Sequence, residues 1–285
     1  MGQILFIVWR ESVEALLVVG ILHAWLKNGG EAARRGLPYL WGGVGVGVLA
    51  AIGLGAALLG FSELLSGDAQ DYFQIVMVIV AAILIVQMVF WMRKHGRTLK
   101  REMETSLSEN LKSANWWGVF ALAALAIARE GSETVIFLYG LGLSEQGNSM
   151  GSMVLAALVG FALAFLTFYL LQLGGKIFSW RRFFQITEII LLFLAAGLLL
   201  TGIERLMSLD LIPTLIDPVW DSSRLLDDTT TFGNLVSTLT GYRAQPALTS
   251  LLVYAAYWVG VLLLLKRAQP PRPQAAPATS ATPVK

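Results

Sequence analysis

The sequence predicts an all-α polytopic membrane protein: seven transmembrane helices, arranged as a 3+3 inverted repeat plus one C-terminal helix, with the N-terminus outside and the C-terminus cytoplasmic. Three observations lead there. Hydrophobic residues make up 56% of the 285 and charged residues only 14%, well outside the usual balance of a soluble domain. The apolar residues gather in runs of about 20, the length needed to cross the hydrocarbon core of a bilayer as a helix. Basic residues collect in alternate connections, as the positive-inside rule requires.

Taken in order, the runs cover roughly 4–26, 38–61, 72–92, 116–142, 150–173, 184–207 and 247–265. They are continuous rather than alternating, so they predict helices and not barrel strands. The first run is interrupted by Arg10, Glu11 and Glu14 and lacks a basic leader and a small-residue cleavage site. It is expected to stay as span one rather than to leave as a signal peptide. The connection after it carries Lys27, Arg34 and Arg35. The connection after span two has Glu63, Asp68 and Asp71 without a basic residue, and the one after span three has Arg93, Lys94, Arg97, Lys100, Arg101 and Lys112. Residues 143–149, after span four, again lack Lys and Arg, whereas Lys176, Arg181 and Arg182 follow span five. Trp41, Trp116 and Trp117 fit interfacial anchors. The chain after span seven begins Lys266-Arg267, and residues 268–285 read as a disordered Pro- and Ala-rich tail outside the single transmembrane domain of 1–267.

Between spans six and seven lies a long outer connection, about 208–246, with Asp210, Asp217, Asp221, Asp227 and Asp228 against Arg224 and Arg243. Trp220, Phe232, Leu235 and Tyr242 favour a packed segment here. It reads either as a solvated acidic loop or as a vestibule that concentrates cations.

Repeat one covers about 1–93 and repeat two about 116–207. Arg10-Glu11-Ser12-Val13-Glu14 in span one answers Arg129-Glu130-Gly131-Ser132-Glu133 in span four, and Phe73-Gln74-Ile75 answers Phe184-Gln185-Ile186. Small residues recur at helical spacing in spans two (Gly43, Gly47, Ala51, Gly55) and five (Ala156, Gly160, Ala164), which permits close helix approach. Three spans per repeat is an odd number, so the repeats are inverted. In that architecture substrate sites lie near the midplane at the repeat interface.

Charges inside a span cost about 2.5 to 3.5 kcal/mol each. Each motif has three. The spacing puts Glu11 with Glu14, and Glu130 with Glu133, on one helix face, with the preceding Arg in reach of the second Glu. If spans one and four meet, four carboxylates converge. A mere packing device would not need a second Glu on each helix, so the pattern points to an ion site. With no cysteine and two histidines, His23 and His95, the ligands must be oxygens. Carboxylates suit Mg, Ca, Mn or iron rather than Cu(I), and do not choose among them. A net charge of +2 gives no reason to expect a nucleic-acid partner.

Two Arg-Glu-x-x-Glu motifs in spans one and four of a seven-span chain resemble the oxidase-dependent iron transporter family, which includes the fungal high-affinity iron permease and the bacterial elemental-ferrous-iron uptake permease. Residues 129–133 match the family's Arg-Glu-Gly-x-Glu completely, and residues 10–14 have Ser12 at the Gly position. The stretch from Phe184 to Leu206 and the segment from Val219 to Trp258 look like the family's sixth span, outer loop and seventh span. The resemblance implies a permease, not an enzyme, importing iron as a transported substrate across the cytoplasmic membrane, with no cofactor. It implies Glu11, Glu14, Glu130 and Glu133 as iron ligands, with Arg10 and Arg129 as charge partners. Outer-face ferroxidase or peroxidase-like proteins that present iron are the implied partners.

Glu188, early in span six, reads as an extra ligand or proton acceptor on that path or as hydrogen-bonded structure. Glu204 and Arg205 read as an interface pair, Asp71 and Glu63 as solvated or as part of an outer mouth, and the methionines mostly as packing. Two other functions stay open on residues alone: transport of Mn or Mg, and a Glu-dependent intramembrane hydrolase, which lacks a histidine in a later span.

Overall fold

The computed structural model describes residues 2–95, 116–144, 150–173 and 180–267. Among the described residues there are nine helices and no strand. They are α1 (Gly2–Asn28), α2 (Gly30–Arg34), α3 (Leu37–Leu64), α4 (Asp68–His95), α5 (Trp116–Ser144), α6 (Met150–Leu173), α7 (Trp180–Ser208), α8 (Thr231–Thr240) and α9 (Leu248–Arg267). The basic run 96–115, residues 145–149, Lys176 and the tail 268–285 lie outside the described residues, as do the side chains of His95, Arg181 and Arg182.

Among the described residues five stretches are long and apolar enough to cross a membrane: Gly30–Leu64, Asp68–Lys94, Gly151–Gln172, Phe184–Ser208 and Leu248–Arg267. Helices α1 and α5, with 27 and 29 residues, are long enough too. What sets them apart is charge, because any 18-residue window of either helix contains at least three ionisable residues.

The helices pair in a crossed pattern: α3 lies against α5, α6 against α1, α4 against α7, and α1 against α5 at the centre. Small residues set these approaches. A Cβ at Gly47 would lie 2.7 Å from Ile127 Cβ, 2.9 Å from Ala124 O and 2.9 Å from Ala128 N. One at Gly160 would lie 2.7 Å from Leu5 O and 3.2 Å from both Trp9 N and Val8 Cβ. Only glycine allows backbones this close. The main core joins Ile4, Ile7 and Val8 of α1 to Val78, Ile85 and Val89 of α4, Phe137 and Leu141 of α5, and Leu191 and Leu194 of α7. A second cluster joins Leu22 and Leu26 of α1 to Leu40 of α3 and Val119 and Ala123 of α5. By contrast Leu49, Ile52, Leu155, Leu158, Phe165 and Leu263 stay exposed, as lipid-facing residues would.

Residues 209–247 are ordered, as the sequence suggests, but hydrogen bonds rather than aromatic packing hold them. Val219 N donates to Pro246 O (3.0 Å), Ser222 N to Ala244 O (2.9 Å) and Leu248 N to Ile216 O (2.9 Å). Tyr242 Oη donates to Leu226 O (3.0 Å) and meets Ser222 Oγ (2.7 Å). Trp220, Phe232 and Leu235 remain exposed. Within the segment α8 is capped at its start by Thr230 Oγ1, which accepts from Gly233 N (3.1 Å), and ends at Gly241 with φ +75°. The first turn of α1 reaches this segment, since a Cβ at Gly2 would touch Leu235 (3.4 Å).

Candidate metal site

The charged residues of α1 and α5 face each other where the two helices meet, with α4 closing one side. On α1, Arg10 Nη1 donates to Glu11 Oε1 (2.8 Å), and Nη2 pairs with Glu14 one turn on. Arg10 is 2% exposed and Glu11 1%, so neither charge has water to fall back on. The remaining Arg10 contacts come from α4: Nη1 also meets Met88 Sδ, and Nη2 meets Met92 Sδ (3.1 Å). On α5, Arg129 Nε donates to Glu133 Oε1 (3.0 Å), and its guanidinium carbon stands 3.9 Å from the centre of the Trp91 ring, a cation–π contact. Both Arg-to-Glu pairs at i, i+4 form as the spacing requires.

Glu11, Glu14 and Glu130 each place a carboxylate oxygen so that the three lie within 4.8 Å of one another. The expected convergence of four carboxylates is thus three plus a neighbour. Glu133 stands outside that group, with its Oε1 held by Arg129. Buried Glu11 Oε2, Glu130 Oε2 and Glu133 Oε2 have no hydrogen-bond partner. A buried acceptor left unpaired costs about 1 to 3 kcal/mol, and more when charged, so these oxygens need an occupant. A shared proton or a multivalent cation would each supply one.

Glu188 stands outside the carboxylate group and pairs with Arg93, tying α7 to α4. Glu204 and Arg205, read together as an interface pair, each reach another element. Glu204 takes a bidentate pair from Arg243 (2.6 and 2.9 Å), which also reaches Ser237 Oγ (2.5 Å), while Arg205 Nη1 donates to Gln74 Oε1 (2.5 Å). Neighbours in sequence point different ways around a helix, and each found a partner on another element. Asp71 lines a cavity of about 180 Å³ with Ile75, Arg205, Ser208 and Leu209, while Glu63 is exposed. His23 packs edge-on to Trp41, with ring centres 6.0 Å apart.

Sequence reasoning missed the contribution of α4. Met88, Trp91 and Met92 all contact motif arginines. The available signal was the i, i+4 spacing of the two methionines in a span adjoining the charged ones, which places both on one helix face.

Comparison with known proteins gives a consistent result. The profile of the Iron permease FTR1 family matches residues 1–268. The ferrous iron permease EfeU of Shigella sonnei (strain Ss046) is 30% identical over 277 residues, covering 96% of this chain and 98% of its own. That of Yersinia pestis is 29% identical over 279 residues, covering 96% of both chains. No solved structure matches.

Proposed function

This chain belongs to the Iron permease FTR1 family, and from that premise we propose that it imports ferrous iron across the cytoplasmic membrane through the Glu carboxylates of its two Arg-Glu-x-x-Glu motifs. As a permease it moves its substrate unchanged, so it is not an enzyme. The observation that carries the proposed route is the buried group of Glu11, Glu14 and Glu130 with unpartnered oxygens. Formal charge agrees with a divalent cargo. With all four carboxylates ionised by ion binding, Glu11, Glu14, Glu130 and Glu133 oppose Arg10 and Arg129, and four negative charges against two positive leave two for the ion.

The proposed architecture is seven spans, three in each inverted repeat plus α9, in one domain of 1–267 with the acidic 208–246 segment outside. Matched contacts support the repeat. Gly47 faces Ala124, Ile127 and Ala128, and Gly160 faces Leu5, Val8 and Trp9; each partner in the first set lies as far along the chain from its counterpart as Arg129 lies from Arg10. The proposed orientation, N-terminus outside and C-terminus cytoplasmic, is supported by the start of α1 lying beside α8 and by Arg34, Arg93 and Lys266 near the other helix ends. Iron collects at the acidic face, where an outer-face iron-presenting partner delivers it. It exchanges water for the carboxylates, and passes inward as the halves rock around them.

Radioactive iron uptake in cells lacking other importers tests this, comparing wild type with Glu14→Gln and Glu130→Gln at matched membrane levels, with and without ascorbate. Loss of uptake in both variants and stimulation of wild type by ascorbate are expected. Equal uptake by all three would overturn the route, and stronger competition by Mn or Mg than by added iron would reassign the cargo.

A further inference from the structure

We propose that Met88 and Met92 of α4 join Glu11 and Glu14 in a mixed sulfur and oxygen site, and that these thioethers make the permease prefer iron(II) to harder cations. The inference rests on the iron(II) permease reading and adds the ligands that set its choice of ion.

Arg10 marks the place. Its Nη1 lies between Glu11 Oε1 and Met88 Sδ, and its Nη2 between Glu14 Oε1 and Met92 Sδ. Each position is therefore a spot where a positive group already sits with one carboxylate oxygen and one thioether against it. The guanidinium stands in for a metal ion there.

The sulfurs are poor partners for the group they now touch. A thioether is a weak hydrogen-bond acceptor, whereas a buried guanidinium is best satisfied by oxygens. Yet two Arg10 nitrogens meet sulfur while Glu11 Oε2 and Glu130 Oε2, in the same carboxylate group, go without a donor. Packing alone does not call for sulfur either, since Leu has nearly the same volume and Met88 is 3% exposed. The second motif supplies an internal comparison. Arg129 is covered by Trp91, from the same helix, so a motif arginine does not require a thioether neighbour.

Ligand chemistry turns this placement into specificity. Carboxylates alone accept Mg, Ca and Mn as readily as iron. Thioethers add affinity for softer ions, so a pair of them favours iron(II) over iron(III) and over the hard divalent ions. An iron(II) ion arriving at either position displaces Arg10 from one oxygen and one sulfur together.

The direct test is iron K-edge X-ray absorption on the purified full-length wild-type protein, loaded anaerobically with iron(II). A sulfur scatterer in the first coordination shell is expected, lost in the Met88→Leu/Met92→Leu variant. In proteoliposomes, that variant should lose about tenfold in its preference for iron(II) over manganese, equal to 1.4 kcal/mol. A wild-type shell of oxygen and nitrogen only, or an unchanged iron-to-manganese preference in a folded variant, overturns the proposal while leaving the permease reading intact. No bound iron in the wild type would sink both. The wild-type spectrum needs no substitution, so a variant that fails to fold does not block the decision.

Discussion

Replacing Gly160 by alanine perturbs the site without touching any charge. The new Cβ would lie 2.7 Å from Leu5 O and 3.2 Å from both Trp9 N and Val8 Cβ. Ordinary C···O contacts are about 3.3 Å or more, so α6 must back away from α1 by roughly 0.6 Å. Overpacking of this kind costs about 1 to 3 kcal/mol, and alanine's better helix propensity returns about 1. The net expectation is a loss of about 1 kcal/mol, with an upper bound near 2. Because α1 carries Glu11 and Glu14 while Glu130 is on α5, shifting α1 also loosens a group whose oxygens lie within 4.8 Å. Thermal unfolding of the purified protein, followed by iron affinity, reads both effects. Gly53→Ala is the control, since nothing lies within 4 Å of a Cβ there. The reasoning fails if Gly160→Ala is as stable as Gly53→Ala and binds iron as tightly as wild type.

Two further outcomes are expected. Arg93→Glu and Glu188→Arg should each lower membrane level or uptake, and the double exchange should restore both if the pair ties α4 to α7; with Arg93 35% exposed, solvent screening keeps the coupling at about 1 kcal/mol or less. Restored level without restored uptake would instead put Glu188 on the ion's route. Asp221 and Asp227 accept hydrogen bonds from Ser223 and Thr229, side chain and backbone, which hold both carboxyls below their ordinary range. Such groups stabilise the fold above the unfolded pKa of about 3.9 and lose that contribution as pH falls through the lower folded value. Protease cleavage within 209–247 should therefore rise below about pH 4, and Asp221→Asn/Asp227→Asn should remove that step.

The sequence carried the helices and the pairing within each motif because both are local. Apolar run length predicts a span, and Arg10 reaches Glu14 through one helical turn whatever surrounds it. Convergence of the motifs was legible from the doubled Arg-Glu-x-x-Glu pattern, because two charged helices in so apolar a chain have little else to meet. Its detail was not. Nothing local says that Glu133 stands outside the group while Glu130 joins Glu11 and Glu14. The pairing of Glu204 with Arg243 depends on a segment nearly forty residues away folding back over α7. The aromatics of 209–247 misled for a related reason: apolar composition suggested packing, but backbone hydrogen bonds order that segment and leave Trp220 and Phe232 exposed.

The buried Arg10 bears on how the proposed carboxylate site selects its ion. Each charge in a span costs about 2.5 to 3.5 kcal/mol on insertion scales, so an empty group of glutamates needs compensation that travels with the protein. Arg10 supplies it from the same helix, and its tether gives it a high effective concentration at the site. On the proposed route, an incoming ion has to displace that tethered cation. A monovalent ion brings no more charge than the guanidinium it replaces and must still shed its water, so it gains nothing by the exchange. A divalent ion brings twice the charge to oxygens that Arg10 leaves unpaired. The arginine thereby filters by valence, and the two thioethers behind it filter by softness. Neither feature alone singles out iron(II), since oxygen ligands accept magnesium and thioethers accept monovalent copper. Only an ion that passes both tests has reason to replace Arg10.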